Sequence, residues 1–179
     1  MKKGIWILGL VLLFFLLTSF RVSKIKNITN SLPRHPDKDY AKRDLSAIDQ
    51  IVIHHSATPE DTTALSIANY HVGPNHISDD GIPGIAYHFL IDVKGQILQV
   101  NELTTISWHT SGQNTRSIGI CLIGNFDEIS PSKAHYKSLI YLIRYLRKKL
   151  GPLEIAGHNE YANKSCPGDQ IDWELIQLA

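Results

Sequence analysis

Cysteine is nearly absent from this chain, net charge is close to nil, and neither an internal repeat nor a low-complexity tract interrupts it. The two cysteines, Cys121 and Cys166, allow at most one disulfide. Cys121 lies within the apolar run Ile118-Gly119-Ile120-Cys121-Leu122-Ile123, as a buried strand residue does, whereas Cys166 stands in a polar turn before Pro167. These settings favour two separate roles over a pairing. Lysine and arginine number 18 against 17 acidic residues, so the basic excess that a nucleic-acid partner requires is missing. What remains is ordinary globular material. With 43% hydrophobic and 20% charged residues over 179 positions, the chain suits one compact domain with a short appendage and is too apolar for wholesale disorder.

One stretch lacks charge altogether. Ile5 to Phe20 is preceded by Lys2 and Lys3 and followed by Arg21, Lys24 and Lys26. A positive n-region before an apolar h-region describes an export signal, and the run is close to the roughly 17 residues that a membrane span needs. It has no polar face, which argues against an internal core helix. No Ala-x-Ala-like cleavage site follows, and Leu17-Thr18-Ser19 is a poor substitute, which favours an uncleaved anchor over a cleaved signal. The sequence thus predicts an N-terminal hydrophobic helix over 1–20, a polar linker over 21–46 and a domain over 47–179. Export places that domain in the periplasm or another extracytoplasmic compartment.

Within the domain, short β-branched runs alternate with helical spacing. Ile51 to His54 reads as a buried strand, and Thr62 or Thr63 caps a helix from Ala64 to about His71. Gly73 to Gly84 is loop. Ala86 to Val93 and Gln96 to Gln99 form a hairpin about Lys94-Gly95, and Ser117 to Ile123 is another strand. Leu139, Leu142, Ile143 and Leu146 mark a helix over Ser132 to Leu150 that stops at Gly151-Pro152, and its basic face from Lys137 to Lys149 points to solvent. A short strand at Leu153 to Ala156 and a closing helix at Ile171 to Leu178 complete a single α/β domain, a central mixed sheet flanked by helices.

Two side chains fall at or just after the ends of these strands, His54 and His158, and Cys166 follows His158 in the adjoining loop. Imidazole and thiolate are ligands that zinc prefers, and a catalytic zinc keeps three protein ligands and one open position. With nine histidines in the chain, spacing alone leaves a metal site and a set of structural histidines both open. The words around these residues go further. Ile51-Val52-Ile53-His54-His55-Ser56-Ala57-Thr58, Gly84-Ile85-Ala86-Tyr87-His88-Phe89, Ser107-Trp108-His109, the stretch Asn114 to Phe126, and Gly157-His158 through Lys164-Ser165-Cys166-Pro167-Gly168 occur in one order. Together they resemble the N-acetylmuramoyl-L-alanine amidase family that includes peptidoglycan recognition proteins and phage amidase-type lysozymes. The likeness covers about Ile51 to Trp173.

That resemblance implies a zinc-dependent hydrolase that cuts the amide between N-acetylmuramic acid and L-alanine, with peptidoglycan or a muropeptide as its partner. It implies Zn2+ on His54, His158 and Cys166, catalytic roles for Tyr87 and Lys164, and a place for His109 at the rim of the substrate cleft. Alternatives are a non-catalytic peptidoglycan-binding module, and a cysteine peptidase with Cys166 as nucleophile and His158 as base. By strand alternation His55 points away from His54, and His88 away from Tyr87, which makes both structural. His71, His76 and His135 read as surface or loop residues, and Trp173 as core.

Overall fold

The computed structural model describes residues 24–179. The hydrophobic segment 1–20 lies outside the described residues, and no helix among these is long and apolar enough to cross a membrane. Six strands form one sheet: β1 (Lys26–Asn27), β2 (Gln50–His55), β3 (Phe89–Ile91), β4 (Ile97–Gln99), β5 (Ser117–Leu122) and β6 (Glu154–Gly157). Their spatial order is β1-β4-β3-β5-β2-β6. Only β3 and β4, the hairpin, run antiparallel, so the sheet is mixed as the alternation of elements predicts.

Three helices flank it: α1 (Ala64–Val72), α2 (Lys133–Leu150) and α3 (Trp173–Gln177). Thr63 caps α1 by accepting from the Ser66 amide, and Ser132 caps α2 by accepting from the His135 amide. Period-two alternation sorts the sheet into two faces. Ile51, Ile53, Ile118, Ile120 and Leu122 pack against Leu139, Leu142, Ile143 and Leu146 of α2. Leu90, Cys121 and Ile123 pack against Ala64, Ile67 and Ala68 of α1. His54 is level with Cys121 in the β2–β5 register and so belongs to the α1 face. The strand residues in the apolar cluster that meets α1 come from β3, β4 and β5, with none from β2.

Two expectations fail here. From Lys24 onward the segment 21–46, predicted as a polar linker, is packed onto the domain. β1 extends the sheet, Ile25 joins one core and Ile28 and Leu32 the other, and the backbone at Ala41 to Arg43 bonds to that at Thr104 to Ile106. The decisive group is Arg43, 8% exposed. Its guanidinium donates to the carbonyls of Leu103, Asn114, Thr115 and Ser117 at 2.7–3.1 Å. Tyr40 is buried beside it in sequence, donating to the Gly84 and Ile85 carbonyls. A tract of low hydrophobicity is bound here by buried polar side chains together with a few apolar ones.

The other failure concerns His71 and His135, which are buried and not at the surface. Both lie on the inward faces of their helices: the His71 ring accepts from the Ala86 amide, and His135 closes the α2 capping box. Burial lowers His71 and His135 to about 4, and burial with the Arg43 charge lowers His88 to about 3. These depressed values favour the neutral folded form. Their stability contribution is complete above about pH 6.5, the unfolded value, and is lost as pH falls towards 4. Each adds a slope of about 1.4 kcal/mol per pH unit in that window. In chelator, the urea midpoint is therefore expected to be flat above about pH 7 and to fall steeply between about pH 6 and 4.5; a constant midpoint over that range would contradict the burial of neutral imidazoles.

Candidate metal centre

The C-terminal end of β2 carries His54, 1% exposed, on the sheet face that α1 leaves open. β6 pairs with β2 and ends at Gly157, so the next residue, His158, opens a 3₁₀ turn beside it. The loop that follows returns to the same place. The Asn159 amide donates to the Cys166 carbonyl at 2.7 Å, and Ser165 donates to the Asp127 carboxylate at 2.8 Å. One ligand atom each from His54, His158 and Cys166 then lies within 4.8 Å of the others. Cys166 Sγ stands 3.7 Å from His54 Nδ1. A tetrahedral zinc with ordinary bond lengths requires a nitrogen–sulfur edge of about 3.6 Å. The donor set is therefore spaced for such an ion.

Electrostatics agree with that fit. Burial holds His54 well below the usual histidine range, helped by His109 and His158, while burial, Lys164 and His76 lower His158 to about 4. Both imidazoles are neutral, as ligands must be. Burial pushes the Cys166 thiol up to about 11, so a bound cation is needed to draw off its proton.

His109, expected at the cleft rim, lines the cleft at 6% exposure and lies against His54. The side of the His54 ring away from Cys166 faces it: His54 Nε2 lies 3.1 Å from His109 Nδ1 and 3.3 Å from Thr110 Oγ1. With Nδ1 turned to the metal position, Nε2 carries the proton and donates to His109 Nδ1. His109 Nε2 in turn donates to Ser117 Oγ at 3.2 Å, and Ser117 donates to the Gln113 carbonyl at 2.7 Å. Every donor in the chain finds an acceptor. The His109 ring fits because residue 119 is glycine; a Cβ there would lie 2.6 Å from it. The loop direction that turns His109 towards His54 has no periodic signal in sequence.

The centre lies in an open cleft of about 850 Å³ lined by Tyr87, Trp108, His158, Tyr161 and Lys164 among others. The Tyr87 ring is 5.1 Å from that of His54, and burial and the neighbouring Cys121 and Cys166 thiols raise it, so the phenol keeps its proton. Lys164 is exposed at the mouth. Cys121 is buried on β5 and both cysteines are free. His55 accepts from the Phe126 amide, and His88 accepts from the Gly119 amide, so each holds backbone as strand alternation predicts. His76 lines the cleft, and its Nδ1 lies 2.9 Å from the Tyr70 hydroxyl. Trp173 is half-buried against the core. Arg43 has no sequence signature of its own, yet it ties down the loop that carries Trp108 and His109.

Comparison with known proteins meets this geometry. The sequence profile of the family described as N-acetylmuramoyl-L-alanine amidase matches residues 44–169. The chain is 28% identical over 139 residues to the endolysin of Escherichia phage T7, across 73% of this chain and 88% of the endolysin. The structure of the amidase LysC from Clostridium intestinale superposes with a TM-score of 0.71 at 27% identity, covering 87% of this chain and 95% of that one. Peptidoglycan recognition protein LE, solved with tracheal cytotoxin, a monomeric diaminopimelic acid-type peptidoglycan, shares the fold. Its TM-score is 0.73 at 23% identity, over 87% and 93% of the two chains.

Proposed function

Because this chain belongs to the N-acetylmuramoyl-L-alanine amidase family, we propose that it is a zinc-dependent hydrolase that cleaves the bond between N-acetylmuramic acid and L-alanine in peptidoglycan. The observation that carries this reading is the complete His54, His158 and Cys166 donor set at the floor of an open cleft. A non-catalytic binding module has no need of three converging donors with a phenol and an ammonium beside them.

A zinc ion held by His54, His158 and Cys166 would supply Lewis acidity and lower the pKa of water there. The chain does the rest. His109 fixes the His54 tautomer and ring orientation through the Nε2–Nδ1 bond. Tyr87, a protonated phenol beside His54, and Lys164, an ammonium at the mouth, donate to the oxyanion that develops when the amide carbonyl becomes tetrahedral. One of the two also passes a proton to the departing amine of L-alanine. Tyr87→Phe and Lys164→Ala are expected to keep their zinc and to lose turnover by roughly 10²–10³-fold where each supplies an oxyanion contact. Turnover on purified muropeptides with metal content measured in parallel checks this, and full activity in both variants would remove them from the mechanism.

The substrate lies outside the cytoplasmic membrane, and the uncharged run Ile5 to Phe20 supports export with the run retained as an anchor. Fractionation with N-terminal sequencing of the mature protein tests this: an intact Met1 in the membrane fraction is expected, and a new terminus near Arg21 would contradict the anchor.

A further inference from the structure

The chain is nearly neutral, but one helix is not. α2 carries Lys133, Lys137, Arg144, Arg147, Lys148 and Lys149 and no acidic residue. At about 100° per residue, the buried Leu139, Leu142, Ile143 and Leu146 form one side of the helix. Lys133, Lys137, Tyr141, Arg144 and Lys148 fall on the opposite side, with Tyr145 on its flank. Tyr141 and Tyr145 are 41% and 40% exposed. A stripe of long basic side chains interleaved with half-exposed phenols is the composition that a headgroup layer accepts, charge to phosphate and ring to the interface.

Where the described chain begins makes this specific. The Lys24 carbonyl accepts from Gln96 Nε2 at 3.2 Å, which fixes the first described residue at the β3–β4 turn. That turn is bound to the first half of α2: Ser132 donates to the Val93 carbonyl, Ser138 donates to the Gly95 carbonyl, and Gly95 lies so close that a Cβ would meet the Ala134 carbonyl at 2.9 Å. Lys24, Lys26 and Lys94 are exposed around this junction, with Asp92 the acidic residue of the turn; its carboxylate accepts from the Lys94 and Gln96 amides. The uncharged run Ile5 to Phe20 ends four residues before Lys24. A segment held in a bilayer therefore reaches the domain at the foot of its most basic helix. α2 lines no part of the cleft, so the mouth stays clear of a surface that covers this face.

We propose that the outward face of α2 is a docking surface for anionic phospholipid headgroups, which lays the domain against the membrane with its cleft free. The proposal rests in part on the anchored reading above, and the test separates the two. Full-length zinc-loaded protein labelled with 3-fluorotyrosine is mixed with vesicles of phosphatidylcholine alone or with added phosphatidylglycerol, each doped with a gadolinium-headgroup lipid. Association with pure phosphatidylcholine reports the anchor. Docking predicts that phosphatidylglycerol adds strong relaxation of the Tyr141 and Tyr145 resonances, assigned through Tyr→Phe variants, while Tyr161 in the cleft is spared.

Each basic residue near such a surface contributes about fivefold to partitioning. Lys133→Gln, Lys137→Gln and Lys148→Gln combined are thus expected to weaken the docked state by about a hundredfold with helicity unchanged. High salt imposes the same loss on the unmutated chain. Protein that ignores phosphatidylcholine but binds phosphatidylglycerol through this face loses the anchor and keeps the dock. Absence of extra relaxation with phosphatidylglycerol, equal relaxation at Tyr161, or binding untouched by the triple variant would overturn the proposal. So would preferential capture of the face by soluble poly(glycerol phosphate), which would assign it to a wall polymer.

Discussion

Arg43→Met is expected to destabilise the protein by about 4 kcal/mol or more, among the largest effects of any single substitution outside the metal ligands. The methionine fills much of the space but donates nothing, and the carbonyls of Leu103, Asn114, Thr115 and Ser117 lose their shared donor. Each orphaned buried acceptor costs about 1–3 kcal/mol, and water entering the site recovers part of the sum. Burial lowers Arg43 only to about 10, so it is a cation at neutral pH and its bonds are charge-assisted. For a domain of this size the loss corresponds to a Tm lower by about 8–16 °C. Arg43→Lys keeps the charge and loses the planar fork, so an intermediate loss is expected. The same reasoning makes a chain begun at residue 47 unfit for assays, since it lacks β1, Tyr40 and Arg43. A Tm within about 3 °C of the parent for Arg43→Met would show that the clamp is dispensable.

Cys166→Ser is expected to reduce zinc from about one per chain to a small fraction and activity to background, because a neutral hydroxyl is a poor replacement for thiolate. The fold is expected to survive. The loop around residue 166 is held by the Asn159–Cys166 and Gly168–Ser165 backbone bonds and by Ser165 on Asp127, none of which uses the thiol. In chelator the variant and the parent should therefore melt together, and only the parent should gain stability when zinc is added. Undiminished zinc in the variant would dismiss Cys166 as a ligand.

These two residues differ in how far sequence reveals them. Cys166 lies in a run with Lys164 and Pro167 that repeats a family pattern, and His54 and His158 adjoin strands that β-branched residues announce. Elements built on periodic burial are legible for the same reason: β2, β5 and α2 each bury one repeating set of apolar side chains. The buried His71 and His135 were within reach too. His71 is three and four positions from Ala68 and Ile67, and His135 is four before Leu139, spacings that place them inward. Arg43 and His109 belong to another class. Their contacts are polar ones between segments distant in the chain, Arg43 to residues 103–117 and His109 to His54, and no local pattern encodes them.

The central claim is tested most directly by mass spectrometry of muropeptides incubated with the zinc-loaded full-length protein. The account predicts free stem peptides that begin at L-alanine and glycan that retains its N-acetylmuramic acid. Cleavage should stop on chelation, return with zinc, and withstand thiol alkylation of the metal-loaded enzyme. Muropeptides bound but left intact by the zinc-loaded protein would contradict the account, as would cleavage that ignores chelator and yields to alkylation.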